Sequence, residues 1–244
     1  MITKYIKRHS VTARLTHWTA AISVITLTIT GLFVLIQAWN NAVGSDFTIA
    51  MRWTHRLIAI PLIVVPLLVI FFDFKGFLRF WRVDIFQKWN RDDVMYGLYF
   101  VPYMFFPSKF HMPPQREVKG AQRAADGLLL FSVIIAAISG LILWSRTGFL
   151  PEGRWAVEWS ASTIVWARVV HVVCFILIAV FGMAHAYLGL GIFTPYRGTV
   201  RLMFGDGKVS ETDAVYHWGY WADVEITSGK NVVEVEDGRK MPNQ

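Results

Sequence analysis

Four long runs of apolar residues punctuate the chain, at 15–38, 53–72, 124–144 and 163–193. Crossing about 30 Å of hydrocarbon takes roughly 20 residues of helix, a length that each run reaches. The first run carries no formal charge; Arg56, Asp126 and Arg168 stand near the starts of the other three. Pro61 and Pro66 fall inside the second, and membrane helices tolerate proline because neighbouring groups satisfy the freed backbone. A fifth apolar piece, 94–106, contains Pro102 and is too short to span. It is expected to lie in the membrane interface or against the bundle. The pattern predicts an all-α fold: an integral membrane four-helix transmembrane bundle over 1–193, with a loop at 73–123 and a tail at 194–244. No internal repeat or low-complexity segment stands out. The tail is mostly polar. It reads as a solvated extension, with a docking segment as the sharper alternative.

Composition agrees with the pattern. Hydrophobic residues make up 55% and charged residues 17%, against about a quarter charged in soluble chains. The 11 tryptophans suit the two membrane–water interfaces, where an apolar ring with a polar N–H is at home. A net charge of +7 would suit nucleic acid only if it lay on one solvated face. Here the charges fall between the apolar runs. Residues 1–14, 73–123 and 194–244 hold 4, 9 and 6 Lys plus Arg, whereas 39–52 and 145–162 hold 1 and 2. That bias predicts a multi-pass protein with cytoplasmic N- and C-termini. The basic start is followed by an apolar run too long for a signal peptide, so a retained first helix is expected. The single cysteine, Cys174, cannot build a disulfide framework or a cysteine metal site.

The histidines carry the candidate chemistry. His9, His111 and His217 fall in connections, and His17, His55, His171 and His185 fall in the spans. Ionisable residues within membrane helices are costly and usually face the bundle interior to perform a task. With the expected topology, His17 and His185 lie near the inner side, and His55 and His171 near the outer side. His171 and His185 are 14 residues apart. They are therefore separated by about 40° around one helix and by about 21 Å along it. One ligand per leaflet on a shared face suits two haems, each iron held by two imidazoles: His17 with His185 and His55 with His171. With both axial positions filled by protein, such irons transfer electrons. A lone histidine near a helix end is more often an interfacial hydrogen-bonder, and it is the two depth-matched pairs that favour haem. Arg14, Arg56 and Arg168 are candidate contacts for the anionic haem propionates, with topology determinants as the plain alternative. Gly31, Gly140 and Gly182 could admit a flat macrocycle or a neighbouring helix. A haem-free scaffold or transporter is the rival from another class; transporters tend to show repeats and broken helices.

The sequence Arg8-His9-Ser10-Val11-Thr12-Ala13-Arg14-Leu15-Thr16-His17-Trp18, the piece Trp53-Thr54-His55-Arg56, the His171/His185 pair and the tail piece Gly207-Lys208-Val209-Ser210 with Ala214, His217 and Trp221 together carry a resemblance. The chain resembles the cytochrome b (gamma) subunit of membrane-bound formate dehydrogenase. That group sits within a wider dihaem cytochrome b set that includes the cytochrome subunits of nickel–iron hydrogenases and thiosulfate reductases. The resemblance implies an iron–sulfur subunit and a molybdenum or tungsten catalytic subunit as partners. It implies two haem b groups and a quinone, menaquinone or ubiquinone, as electron acceptor. Electrons would pass from the outer haem to the inner one and on to quinone in a respiratory chain. The implied quinone site falls near His185, at Lys119, Gln122 and Gly189; Lys119 stands where the family has asparagine. Quinone reduction is then the only chemistry expected on this chain, as part of a larger oxidoreductase complex. The loop is longer than in the family, and its aromatic stretch at 80–89 has no role legible in the sequence.

Overall fold

The computed structural model describes residues 2–236. Four helices are long and apolar enough to cross a membrane: α1 (Val11–Leu35), α3 (Ser45–Phe72), α6 (Gly120–Ser145) and α7 (Ala161–Gly189). The short α2 (Gln37–Val43) sits between the first two. The expected spans are all present, with ends shifted for local reasons. Ser10 Oγ accepts from the Ala13 amide at 3.1 Å and so starts α1 before its apolar run begins. Ser160 does the same for α7 through the Thr163 amide at 3.1 Å. Helix α3 opens eight residues ahead of the expected 53, because Ser45, Asp46, Thr48 and Arg52 interrupt the apolar pattern of its first two turns. Helix α7 stops at Gly189 rather than 193, where Gly191 adopts φ +66°, the left-handed conformation that ends helices.

The chain divides into two compact units. One, the bundle unit, comprises Leu15–Phe74 and Gly127–Ala184. Its polarity is inverted relative to a water-soluble domain. Ser23, Thr30, Ser132 and Ser139 are buried, while Ile22, Ile25, Ile29, Leu57, Leu67, Ile138, Val173 and Ile176 are exposed. Water would penalise such a surface heavily, whereas lipid does not distinguish it from a core. Small hydroxyl residues inside let helices approach closely.

The other unit, the cap, comprises Met1–Arg14, Lys75–Asp126 and His185–Gln244. The N-terminal strand β1 (Ile2–Lys7) is the centre of a three-stranded antiparallel sheet. It is flanked by β2 (Lys208–Ser210) and β3 (Val232–Glu236) in the order β2-β1-β3. Beneath it lie α9 (Glu211–His217) and α10 (Gly219–Ser228). Ala214, Trp218 and Ala222 recur every four residues and close, with Val209, Trp221 and Leu202, on the fully buried Ile6. The expected solvated tail is thus corrected. Residues 194–236 supply most of this core, because their short elements bury aromatic residues against a strand some 200 positions earlier in the chain. The small sheet is the departure, among the described residues, from an otherwise helical fold. Residues 237–244 lie outside the described part.

The central loop completes the cap unit. After α4 (Phe74–Arg79), the aromatic stretch forms a π-helical turn, Phe80–Ile85, with Trp81 stacked on Phe86. Helix α5 (Arg91–Phe105) starts on a reciprocal cap between Asn90 and Asp93. Its Asp93, Tyr96 and Tyr103 are buried, while Val94, Leu98, Val101 and Phe105 form an exposed apolar stripe. Asp93 holds Arg123 at 3.0 Å, with both side chains almost fully buried, and also pairs with Arg116. Gly120 opens α6 against α5; a Cβ there would fall 2.4 Å from the Asp93 carbonyl oxygen. The short helix α8 (Arg201–Phe204) precedes β2.

Candidate functional site

In the bundle unit, α3 brings His55 and α7 brings His171 together, with their ring planes inclined at 66°. Their ring centroids are 6.2 Å apart. Each ring is held from behind by a neighbouring helix in the same way. Thr30 on α1 lies with its hydroxyl 3.0 Å from His55 Nδ1, and Ser139 on α6 with its hydroxyl 3.1 Å from His171 Nδ1. Both hydroxyls already donate one turn back, Thr30 to the Thr26 carbonyl at 2.8 Å and Ser139 to the Ile135 carbonyl at 2.8 Å. A hydroxyl has one proton, so each must accept from its histidine. The Ala136 carbonyl, which can only accept, lies 3.0 Å from His171 Nδ1 and fixes the same assignment. The Leu27 backbone plays that part for His55. Both rings therefore carry their proton on Nδ1, which leaves the Nε2 lone pair for a metal.

Glycines finish each cradle. A Cβ on Gly31 would come 3.2 Å from His55 Cε1, and one on Gly140 would come 3.1 Å from His171 Cε1. The space around the two rings is an apolar cavity walled by residues such as Leu27, Leu62, Val133 and Phe175, with Arg56 at its border.

These residues fit a haem held by two imidazoles. A metal–imidazole bond is about 2 Å long, and the ring centre lies roughly 1 Å beyond the nitrogen. Two rings sharing one metal therefore have centroids about 6 Å apart, close to the observed 6.2 Å. Among the described residues no group of three or more His, Cys, Asp or Glu side chains forms a metal cage. Two ligands in an apolar cleft suit a metal that brings its own planar ligand set. A haem bound there would supply a one-electron couple; His55 and His171 would hold it through their Nε2 atoms, with Thr30 and Ser139 orienting the rings and the apolar wall excluding water.

A model of the prokaryotic cytochrome b561 family matches residues 8–206. The chain belongs to this family. This cytochrome b561 protein is accordingly a membrane protein that binds haem b and transfers electrons. A comparison with curated proteins returns no match.

The other expected ligands fall in separate units. His17 lies on α1 in the bundle unit, edge-on to Trp18 with centroids 5.8 Å apart. His185 lies near the end of α7 in the cap unit, its Nδ1 3.2 Å from Asp126 Oδ1. Gln122 donates to the other Asp126 oxygen at 3.1 Å, so a Gln122–Asp126–His185 chain exists within the cap unit. Lys119 points elsewhere. Its amine is buried, 3.2 Å from His217 Nδ1 and 3.8 Å from the centre of the Tyr196 ring. Burial, with the nearby Arg8 charge, holds its pKa well below the ordinary lysine range. Gly189 is the last residue of α7.

The three arginines separate. Arg56 donates to Thr147 Oγ1 at 2.9 Å at the cavity border. Arg14 donates to the Gly205 carbonyl. Arg168 is exposed on α7. Thr30, Ser139 and Asp126 are the site residues that sequence reasoning missed. The signal was a hydroxyl residue directly before a glycine within an apolar run, twice: Thr30-Gly31 and Ser139-Gly140.

Proposed function

We propose that this cytochrome b561 protein is the dihaem membrane subunit of a formate dehydrogenase complex. It anchors an iron–sulfur subunit and a molybdenum or tungsten catalytic subunit, and it carries their electrons through two haem b groups to membrane quinone. The observation that carries the reading is the His55/His171 pair, 6.2 Å apart and proton-bearing on the far nitrogen of each ring. His17 and His185 are the ligands of the second haem in this reading. Arg56 is the favoured propionate contact, since it borders the cavity, whereas Arg14 is already bonded to a carbonyl. Quinone binds beside His185, with Gln122, Gly189 and the buried Lys119 amine as its candidate contacts. The Lys and Arg distribution supports cytoplasmic termini, and with them an inward course for the electrons. The same ligand set would serve a nickel–iron hydrogenase or thiosulfate-type cytochrome subunit equally well, so the histidines do not separate these alternatives.

The test is a reduced-minus-oxidised visible spectrum of the purified chain with a count of haem per chain. Two haem b are expected. His55→Ala and His171→Ala should each remove one and the same haem, leaving the other in place. A haem-free chain would sink the reading in favour of a scaffold. Identification of the co-purifying large subunit and its metal separates formate dehydrogenase from its relatives.

A further inference from the structure

The proposed haem ligands differ in what stands behind them. His55 and His171 give their Nδ1 protons to neutral oxygens: the Thr30 and Ser139 hydroxyls and backbone carbonyls. His185 has a carboxylate, Asp126 Oδ1, at 3.2 Å. We infer that Asp126 holds the haem on His185 at a lower reduction potential than the haem on His55 and His171, so that the first electron taken up rests on the latter. The inference rests on the ligand assignment proposed above.

The physical chain is short. An oxidised haem iron with two neutral imidazoles carries one more positive charge than the reduced one. A carboxylate hydrogen-bonded to an axial imidazole makes that ring a stronger donor and adds negative charge near the iron, and both effects favour the oxidised state. A hydroxyl does neither to the same degree, because it carries no net charge. The Asp126 charge is not cancelled locally. Arg123, three residues earlier, is committed to Asp93 at 3.0 Å. Gln122, the other partner of Asp126, is neutral. Among the described residues no Lys or Arg pairs with Asp126. At the other centre, apolar walls and the Arg56 guanidinium at their border disfavour the extra positive charge of an oxidised iron. All these features push the two potentials apart in one direction. The side chains of Asp126 and His185 are 28% and 41% exposed, so solvent reduces the separation without changing its sign.

The experiment is an equilibrium redox titration of the purified two-haem protein, followed by visible absorbance. Wild type should show two midpoints. Asp126→Asn should raise the lower one toward the upper, leave the upper in place, and keep two haems per chain. Asp126→Glu should restore the low value. Gln122→Glu adds a charge beside Asp126 without touching His185, and should lower the same midpoint further. This second variant decides the matter if Asp126→Asn fails to retain haem. Unmoved midpoints, or movement of the upper one, overturn the inference. His185→Ala separates this failure from that of the underlying reading: a variant that still holds both haems shows His185 is no ligand, and the inference falls with it.

Discussion

At the residue scale, the site is decided by two hydroxyl protons. Thr30 and Ser139 each spend their proton on a carbonyl one turn back, which leaves only lone pairs for the histidines. The tautomer of both rings follows from that count. Without the hydroxyls, each ring would depend on one backbone carbonyl alone to hold its orientation and its Nδ1 proton. Thr30→Val keeps the shape of the side chain and removes the acceptor. A backbone acceptor stays in place in either variant, Leu27 for His55 and Ala136 for His171. Haem affinity at the His55/His171 site should fall on the order of 10–100-fold in Thr30→Val and in Ser139→Ala, in line with outer-shell partners of metal-bound histidines. Haem loss to apomyoglobin, timed by absorbance, measures both. Loss rates unchanged from wild type in both variants would show that the backbone carbonyls alone hold the rings.

At the element scale, a short internal register emerges that hydropathy alone does not reveal. Ser23, Leu27, Thr30 and Gly31 on α1 correspond to Ser132, Ala136, Ser139 and Gly140 on α6, each 109 positions later. Each helix presents the same pattern to a histidine on its partner: α1 to His55 and α6 to His171. The register also places Asp126 where α1 has His17. The four spans were legible in the sequence, because lipid asks only for length and apolarity, which sequence states directly. The hydroxyl partners were not. Thr19 and Thr26 also bond the carbonyl four residues back, and nothing local separates them from Thr30. The glycines test the paired cradle. Valine at Gly31 or Gly140 would bring branched carbons into a gap where even a Cβ lies 3.2 or 3.1 Å from the imidazole. Gly31→Val and Gly140→Val should each abolish haem at this site and, on the dihaem reading proposed above, spare the other. Gly182→Val is the control, since no atom lies within 4 Å of a Cβ there. Haem per chain and the surviving midpoint report the outcome.

At the scale of the whole molecule, the meeting of His55 and His171 was legible in the sequence and the cap unit was not. Its core joins β1 to elements more than 200 positions away, and its elements are too short to leave a periodic trace. That unit buries titratable groups that tie its stability to pH. Burial, reinforced by Lys119 and Arg8, lowers the His217 pKa to about 3. Burial and Arg8 lower that of Lys119 well below its ordinary 10.5. Burial disfavours the charged form of both groups, so between the lowered and the ordinary pKa of each the unfolded chain binds more protons than the folded one, and stability rises with pH there. For Lys119 the gain accrues as pH climbs toward 10.5; for His217 it is complete by about 6.5 and is lost progressively from there down toward 3. Asp84 acts oppositely. Burial and Glu117 raise its pKa to about 6, so its contribution is full below the ordinary 3.8 and vanishes as pH passes 6. Burial also raises Tyr96, Tyr103 and Tyr196, so deprotonation of the unfolded chain removes stability above about 10. Between pH 7 and 9 Lys119 alone sets the slope among these groups. Hydrogen exchange of the Ala214–Ala222 amides, corrected for intrinsic rates, should therefore show protection rising from pH 7 to 9. Lys119→Met, which keeps the length of the stem among the rings and removes the amine, should flatten that rise while leaving the acid-side loss from His217 in place. A slope unchanged in Lys119→Met would mean that the buried amine is charged in the folded protein, with its proton shared toward His217.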